Sequence, residues 1–114
     1  MDPIVFYKCL ADAIRLRSLL LIQLETELCV CELMVALEQS QPKVSRHLAQ
    51  LRKCELVMDR RQGTWVFYRI NPALPTWAKD VLALTAEQNR LFLQDSMANL
   101  SSMGDRPTRL GQCC

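Results

Sequence analysis

The stretch from Ser40 to Ile70 leaves few folds open to this chain. Ser40 can cap a helix, and Pro42 falls in its first turn, where a missing amide hydrogen costs nothing. The helix predicted from there runs to about Lys53 and gathers Val44, Leu48 and Leu51 on one face. Beyond Cys54-Glu55 the pattern changes: LVMDR, RQG and TWVFYRI read as two strands about Gly63, a β-hairpin. Ahead of Ser40, a short helix from about Cys31 to Leu37 carries Leu33, Val35, Ala36 and Leu37 and stops at the polar break Glu38-Gln39-Ser40-Gln41. Two helices joined by a tight polar turn form a helix-turn-helix. A hairpin directly behind that unit is the wing of a winged helix, so the expected class is mainly α with a β-hairpin.

The flanks fit one core. Pro3 suits the first turn of a helix over residues 3 to 11, Asp12 reads as an N-cap, and Ala13 to Leu24 form a helix packed deep in the core, with Ile14, Leu20 and Leu24 near one side. Asn71-Pro72 and Pro75 stop the second strand. A long helix is predicted from Thr76 to about Met97 or beyond, with Trp77, Val81, Leu84 and Leu91 at near-heptad spacing for a partner subunit. From Ser101 the residues are small, polar or helix-breaking, which predicts a winged helix-turn-helix domain over 1–103 and a flexible C-terminal tail over 104–114. The 114 residues, 50% of them hydrophobic, suit one domain. No run approaches the roughly 20 apolar residues of a spanning helix. Met1-Asp2-Pro3 does not open a signal peptide, so the expected location is cytoplasmic, with no membrane partner.

Net charge is only +2, yet Lys43, Arg46, Arg52, Lys53, Arg60, Arg61 and Arg69 cluster between Gln41 and Arg69 against Glu55 and Asp59 alone. That is the footprint of a surface that meets phosphates, and double-stranded DNA is the predicted partner. Opposite the apolar stripe, the second helix carries Lys43, Arg46, Gln50 and Lys53, with Ser45 and His47 on the flanks and Gln41 at its start. Arginine can fork onto guanine O6 and N7, glutamine can do the same for adenine N6 and N7, and lysine or serine can hold phosphate. His47 has no second histidine or carboxylate cluster beside it, which makes it a DNA-contacting or packing residue rather than a metal ligand. Arg60, Arg61 and Gln62 at the wing tip complete the candidate DNA-binding set.

Six cysteines without an export signal argue for reduced thiols. Cys29-Val30-Cys31 places two of them just ahead of the helix-turn-helix. Zinc, copper(I) and trivalent arsenic or antimony all favour such soft donors. Zinc would call for a tetrahedral set, which the single His47 disfavours. Oxidant sensing by the same thiols is the alternative, giving a thiol-based redox regulator. Cys9 and Cys54 read as core or surface thiols. An enzyme is not indicated: Cys54-x5-Arg60 has the spacing of an anion-cradling loop, but Glu-Leu-Val-Met-Asp lacks the small residues such a loop needs, and no acid–base pair or catalytic cofactor is suggested.

Glu27-Leu28-Cys29-Val30-Cys31-Glu32-Leu33, then Ser40 to Leu48, then Asp59-Arg60-Arg61-Gln62-Gly63 with Trp65, Tyr68 and Arg69, resemble the ArsR/SmtB family of metal-responsive winged-helix repressors, and closely its arsenic-responsive members. The resemblance covers roughly Phe6 to Trp77. It implies a homodimer through the terminal helices, binding of operator DNA, and release when arsenite or antimonite, the inducer, meets Cys29 and Cys31. Members with this motif often carry a third cysteine where Met34 stands here, and a thioether belongs more naturally to packing. The third arsenic ligand is then Cys113, Cys114 or an exogenous solvent or small-thiol ligand. The family also commonly ends its recognition helix at a glycine where this chain has Glu55, which predicts a helix end built differently. Residues two apart on a regular helix point about 200° apart, so chelation by Cys29 and Cys31 requires a bent or unwound helix start.

Overall fold

A computed structural model describes residues 1–112. The elements in chain order are α1 (Pro3–Leu10), α2 (Ala13–Glu25), β1 (Leu28–Cys29), α3 (Val30–Leu37), α4 (Gln41–Lys53), β2 (Val57–Gln62), β3 (Trp65–Ile70), α5 (Thr76–Gln88), α6 (Gln94–Ser102) and α7 (Thr108–Gly111). Helix α2 is the hub. The Asp12 carboxylate starts it by accepting from Ile14 N and Arg15 N at 2.9 and 3.1 Å, and Leu19 to Ile22 are then completely buried. Four consecutive buried residues exceed one helical stripe, as expected of a helix surrounded by others.

Helix α3 ends at Glu38 in the left-handed region (φ 54°), with Gln39 N donating to Met34 O at 3.2 Å. Helix α4 follows after a short turn and buries Val44, Leu48 and Leu51 fully against the core, as its spacing predicts. Its far end corrects an expectation. Glu55 adopts φ 62° and Leu56 N bonds Leu51 O at 3.0 Å, so the left-handed turn is kept and a glutamate bears its steric cost. Asn71 Nδ2 donates to Glu55 O at 2.9 Å and helps hold that turn.

The hairpin pairs Val57 with Ile70 through to Gln62 with Trp65, and Gly63 takes the positive φ (62°) that a two-residue hairpin turn requires. Sequence patterning did not anticipate a third strand. Strand β1 joins antiparallel to β3, pairing Leu28 with Tyr68 and Cys29 with Phe67, so the sheet order is β1-β3-β2.

The single long helix expected from Thr76 to about Met97 is broken. Helix α5 stops at Gln88, where Asn89 leaves helical geometry and its side chain donates to Thr85 O at 2.9 Å, competing with the backbone ladder. The break lets Leu93 turn fully into the core and sets the Phe92 ring 4.4 Å from the Arg17 guanidinium. Helix α6 then packs on α3, where Asn99 Nδ2 donates to Ala36 O at 3.2 Å. Residues 104–112 also differ from the loose segment expected: α7 forms there, and Arg106 and Arg109 are held by carboxylates of the body. No helix among the described residues is long and apolar enough to cross a membrane.

Candidate thiol site and nucleic-acid interface

The two cysteines straddle the junction of β1 and α3. Cys29 is extended (φ −91°, ψ 167°) and serves as the N-cap, while Cys31 lies in the first turn. The bend that chelation demands is therefore built in, because only one of the two cysteines belongs to regular helix. Cys29 is almost completely buried. Burial pushes its thiol up, and the neighbouring Glu32 charge adds to that, against backbone amides of Glu32 and Cys31 that favour the thiolate. Met34 packs partly buried against the core, in keeping with the packing role assigned to it. Among the described residues no group of three His, Cys, Asp or Glu side chains is placed to hold a metal. Cys113 and Cys114, the candidate third ligands, lie outside the described residues.

Glu32 was missed by sequence reasoning and is the centre of this region. Its side chain has no solvent exposure. The carboxylate accepts from Cys29 N at 2.9 Å, from Arg106 Nε and Nη2 at 3.2 and 2.5 Å, and from Arg109 Nη1 at 3.1 Å. Burial alone would raise its pKa, but the Arg106 guanidinium, the Cys29 amide and Arg109 outweigh that and hold the carboxyl below the usual range. Arg109 also reaches Glu25 at 3.5 Å and Gly104 O at 2.8 Å, and Arg106 donates to Glu27 O at 2.9 Å. The C-terminal segment thus clasps the first turn of α3. A signal existed: Cys29-x-x-Glu32 has the spacing of a capping box, with a thiol where serine or threonine is usual.

The outer face of α4 carries the polar residues that helical spacing assigns to it. Gln41, Lys43, Arg46, Gln50 and Lys53 are exposed, and Ser45 is half-buried with its hydroxyl accepting from Gln41 Nε2 at 2.9 Å. His47 turns inward instead. Its side chain is 12% exposed, with Nδ1 3.7 Å from Asp12 and 3.5 Å from Arg15 Nη1. Burial, with help from Arg15, Arg46 and Lys43, lowers its pKa against the pull of Asp12, so the ring is neutral at pH 7 and packs α4 onto the start of α2.

On the wing, Arg61 and Gln62 are exposed, whereas Arg60 is engaged. Its guanidinium grips Glu27 through two bonds of 2.7 and 2.6 Å, donates to Gln62 at 2.8 Å and lies 4.7 Å from the Phe67 ring centre. Glu27 directly precedes β1, so Arg60 fastens the wing to the cysteine-bearing segment.

A helix-turn-helix with a basic outer face, a hairpin wing, and a cysteine pair tied by backbone to that wing together define a cysteine-bearing winged-helix DNA-binding regulator. Comparison with known proteins agrees. Residues 12–59 match the family described as bacterial regulatory protein, arsR family. The chain is 52% identical over 114 residues to the arsenic resistance transcriptional regulator ArsR2 of Pseudomonas putida, covering 100% of this chain and 99% of that protein. It is 50% identical over 106 residues to the arsenical resistance operon repressor of Escherichia coli, covering 90% and 91%. Among solved structures, reduced HlyU from Vibrio cholerae superposes with a TM-score of 0.68 at 36% identity, covering 76% of this chain and 87% of that one. The chain belongs to the arsR family of bacterial regulatory proteins. It is a transcriptional regulator and not an enzyme.

Proposed function

We propose that this chain is a homodimeric, cytoplasmic repressor that holds the operator of an arsenical-resistance operon and lets go when arsenite or antimonite binds Cys29 and Cys31. One observation carries the reading: the two cysteines sit where a strand paired with the wing turns into the helix that precedes the recognition helix α4. With both cysteines reduced, arsenous acid can exchange two hydroxides for the two thiol sulfurs, the thiol protons leaving with the hydroxides as two waters. The third position falls to Cys113, Cys114 or a small thiol. Drawing Cys29 and Cys31 onto one ion pulls the N-cap toward the first turn of α3 and strains the Cys29–Glu32 contact. The displacement passes to α4 through α3 and to the wing through the Cys29–Phe67 pair. A coupling of about 3 kcal/mol, within the range of ordinary allosteric energies, weakens operator binding roughly a hundredfold.

DNA contacts are assigned to Gln41, Lys43, Ser45, Arg46 and Gln50 of α4 and to Arg61 and Gln62 of the wing, with His47 and Arg60 acting through the packing that positions them. Exposed apolar side chains on α1 (Ile4, Val5, Tyr7) and on α5 and its end (Trp77, Leu84, Leu91) supply the surface for the second subunit. The redox alternative, oxidation at the same cysteines, predicts release by peroxide and not by arsenite. The test is fluorescence anisotropy on an imperfect-palindrome operator, titrated with arsenite under reducing conditions. Release is expected from the natural chain and not from Cys29→Ser or Cys31→Ser, and an unimpaired Cys29→Ser protein sinks the proposed site.

A further inference from the structure

Cys9 and Cys54 are 45 positions apart in sequence and meet in space. Cys9 lies on the inner face of α1, and Cys54 is the residue that closes α4. Cys9 Sγ faces Gln50 O at 3.9 Å, the same carbonyl that accepts from Cys54 N at 3.0 Å, so the two residues adjoin. Both line an open pocket of about 340 Å³ whose remaining walls are Val5, Lys8, Arg15 and Gln50. Neither cysteine forms a disulfide. They stand apart from Cys29 and Cys31, and the operator-release reading makes no use of them.

We propose that Cys9 and Cys54 form a second, two-sulfur site that takes a trivalent monosubstituted arsenical, an arsonous acid of the type R–As(OH)2. The donor set selects this class. Only two sulfurs are present, and no third His, Cys, Asp or Glu joins them among the described residues, so an ion that needs three or four protein ligands is not served. An arsonous acid needs only two, because carbon already fills its third position. In the exchange two As–O bonds break and two As–S bonds form, each thiol proton leaving with a hydroxide as water. No oxidation state changes, and the product is neutral.

Neutrality matters at this place. Burial and the adjoining Cys54 push the Cys9 thiol up to about 12, so the pair is held as neutral thiols, and a neutral dithioarsenical leaves no charge buried there. The organic substituent then points into the pocket, where Val5 offers an apolar wall and Lys8 and Arg15 offer cations to an aromatic face. The adduct would pin the end of the recognition helix to α1.

The experiment uses the full-length chain with Cys29, Cys31, Cys113 and Cys114 each changed to Ser, leaving Cys9 and Cys54 as its only thiols. Phenylarsonous acid, added as phenylarsine oxide, is titrated under anaerobic conditions against excess glutathione. Native mass spectrometry reads the adduct, thiol titration reads the cysteines consumed, and circular dichroism confirms the fold. One arsenical per chain with loss of both thiols is expected, and Cys54→Ser on this background should lower retention by about 10²–10⁴-fold, as expected when one of two linked attachments is removed. Equal retention by Cys54→Ser, or no adduct at one equivalent, overturns the proposal. If the four-serine chain does not fold, peptide mapping of the natural chain decides: one arsenic bridging the Cys9 and Cys54 peptides supports the site, and its absence at saturating arsenical overturns it.

Discussion

Replacing Glu32 by Gln keeps the shape of the side chain and removes the charge that two arginines surround. Breaking one partner of a fully buried ion pair costs about 3–5 kcal/mol. Here the loss should be smaller, because the Arg106 side chain is 33% exposed and keeps Glu27 O, and Arg109 keeps Glu25 and Gly104 O. The amide oxygen can still accept from Cys29 N, so the helix cap survives in part. The expected destabilisation is then about 2–3 kcal/mol, below the range for a complete break. With a urea m-value of roughly 1–3 kcal/mol/M, the unfolding midpoint should fall by about 1–2 M with the slope unchanged. Chain concentration must be held fixed, since any association adds to apparent stability. A double-mutant cycle with Arg109→Ala should show coupling of about 1 kcal/mol or more. A loss under about 0.5 kcal/mol, the level of an exposed pair, would refute the idea that the C-terminal segment clasps a buried carboxylate.

Glu55→Gly should stabilise the protein by about 0.5–1 kcal/mol in the same assay, because relief of a left-handed L-residue, roughly 1–2 kcal/mol, exceeds the added freedom of glycine in the unfolded chain. Asp12→Ala should cost about 1 kcal/mol at pH 7 through loss of the α2 cap. Burial opposes ionisation of Asp12, but the Arg15 amide, His47, Arg15 and the Ile14 amide prevail and set its folded pKa below the unfolded value of about 3.9. The cap's charge-dependent stability is therefore complete above that value and lost as pH falls through the folded pKa. Thermal melts should show a constant gap between the two proteins from pH 7 to about 5 and a shrinking one below about 4; a gap that widens in acid contradicts the assignment. Arg46→Ala, on the exposed face of α4, should weaken operator binding and, if Arg46 holds a phosphate, reduce the salt slope by about one.

What could be read from the chain depended on whether a signal was local and periodic. The α4 stripe of Val44, Leu48 and Leu51 and the turn at Gly63 lie within one element each, and both are found where patterning puts them. Strand β1 is two residues long, too short to have a period, and its partner is some forty positions away. The clasp on Glu32 joins residues 74 and 77 positions apart, so charge counting saw only polar residues near the end of the chain. The break after Gln88 escaped notice because Asn89 is a weak stop; burial of Leu93 and the Phe92–Arg17 contact, both tertiary, decide it. The thiol pair was legible as chemistry, but the bend between its members belongs to the fold. His47 shows the same limit, since helical spacing put it on a flank and packing turned it inward.

The pairing of Cys29 with Phe67 makes the two ends of the hairpin unequal in what they tolerate. At the outer end, Gly63 has open space around it, and residues added beside it would lengthen the wing while leaving the inner register intact. At the inner end one inserted residue would shift β1 by a step and turn Leu28 and Cys29 each to the other face of the sheet, since side chains alternate along a strand. The wing tip can accordingly change length on its own, while the spacing from Glu27 to Glu32 and the stretch of β3 opposite it have to stay in step.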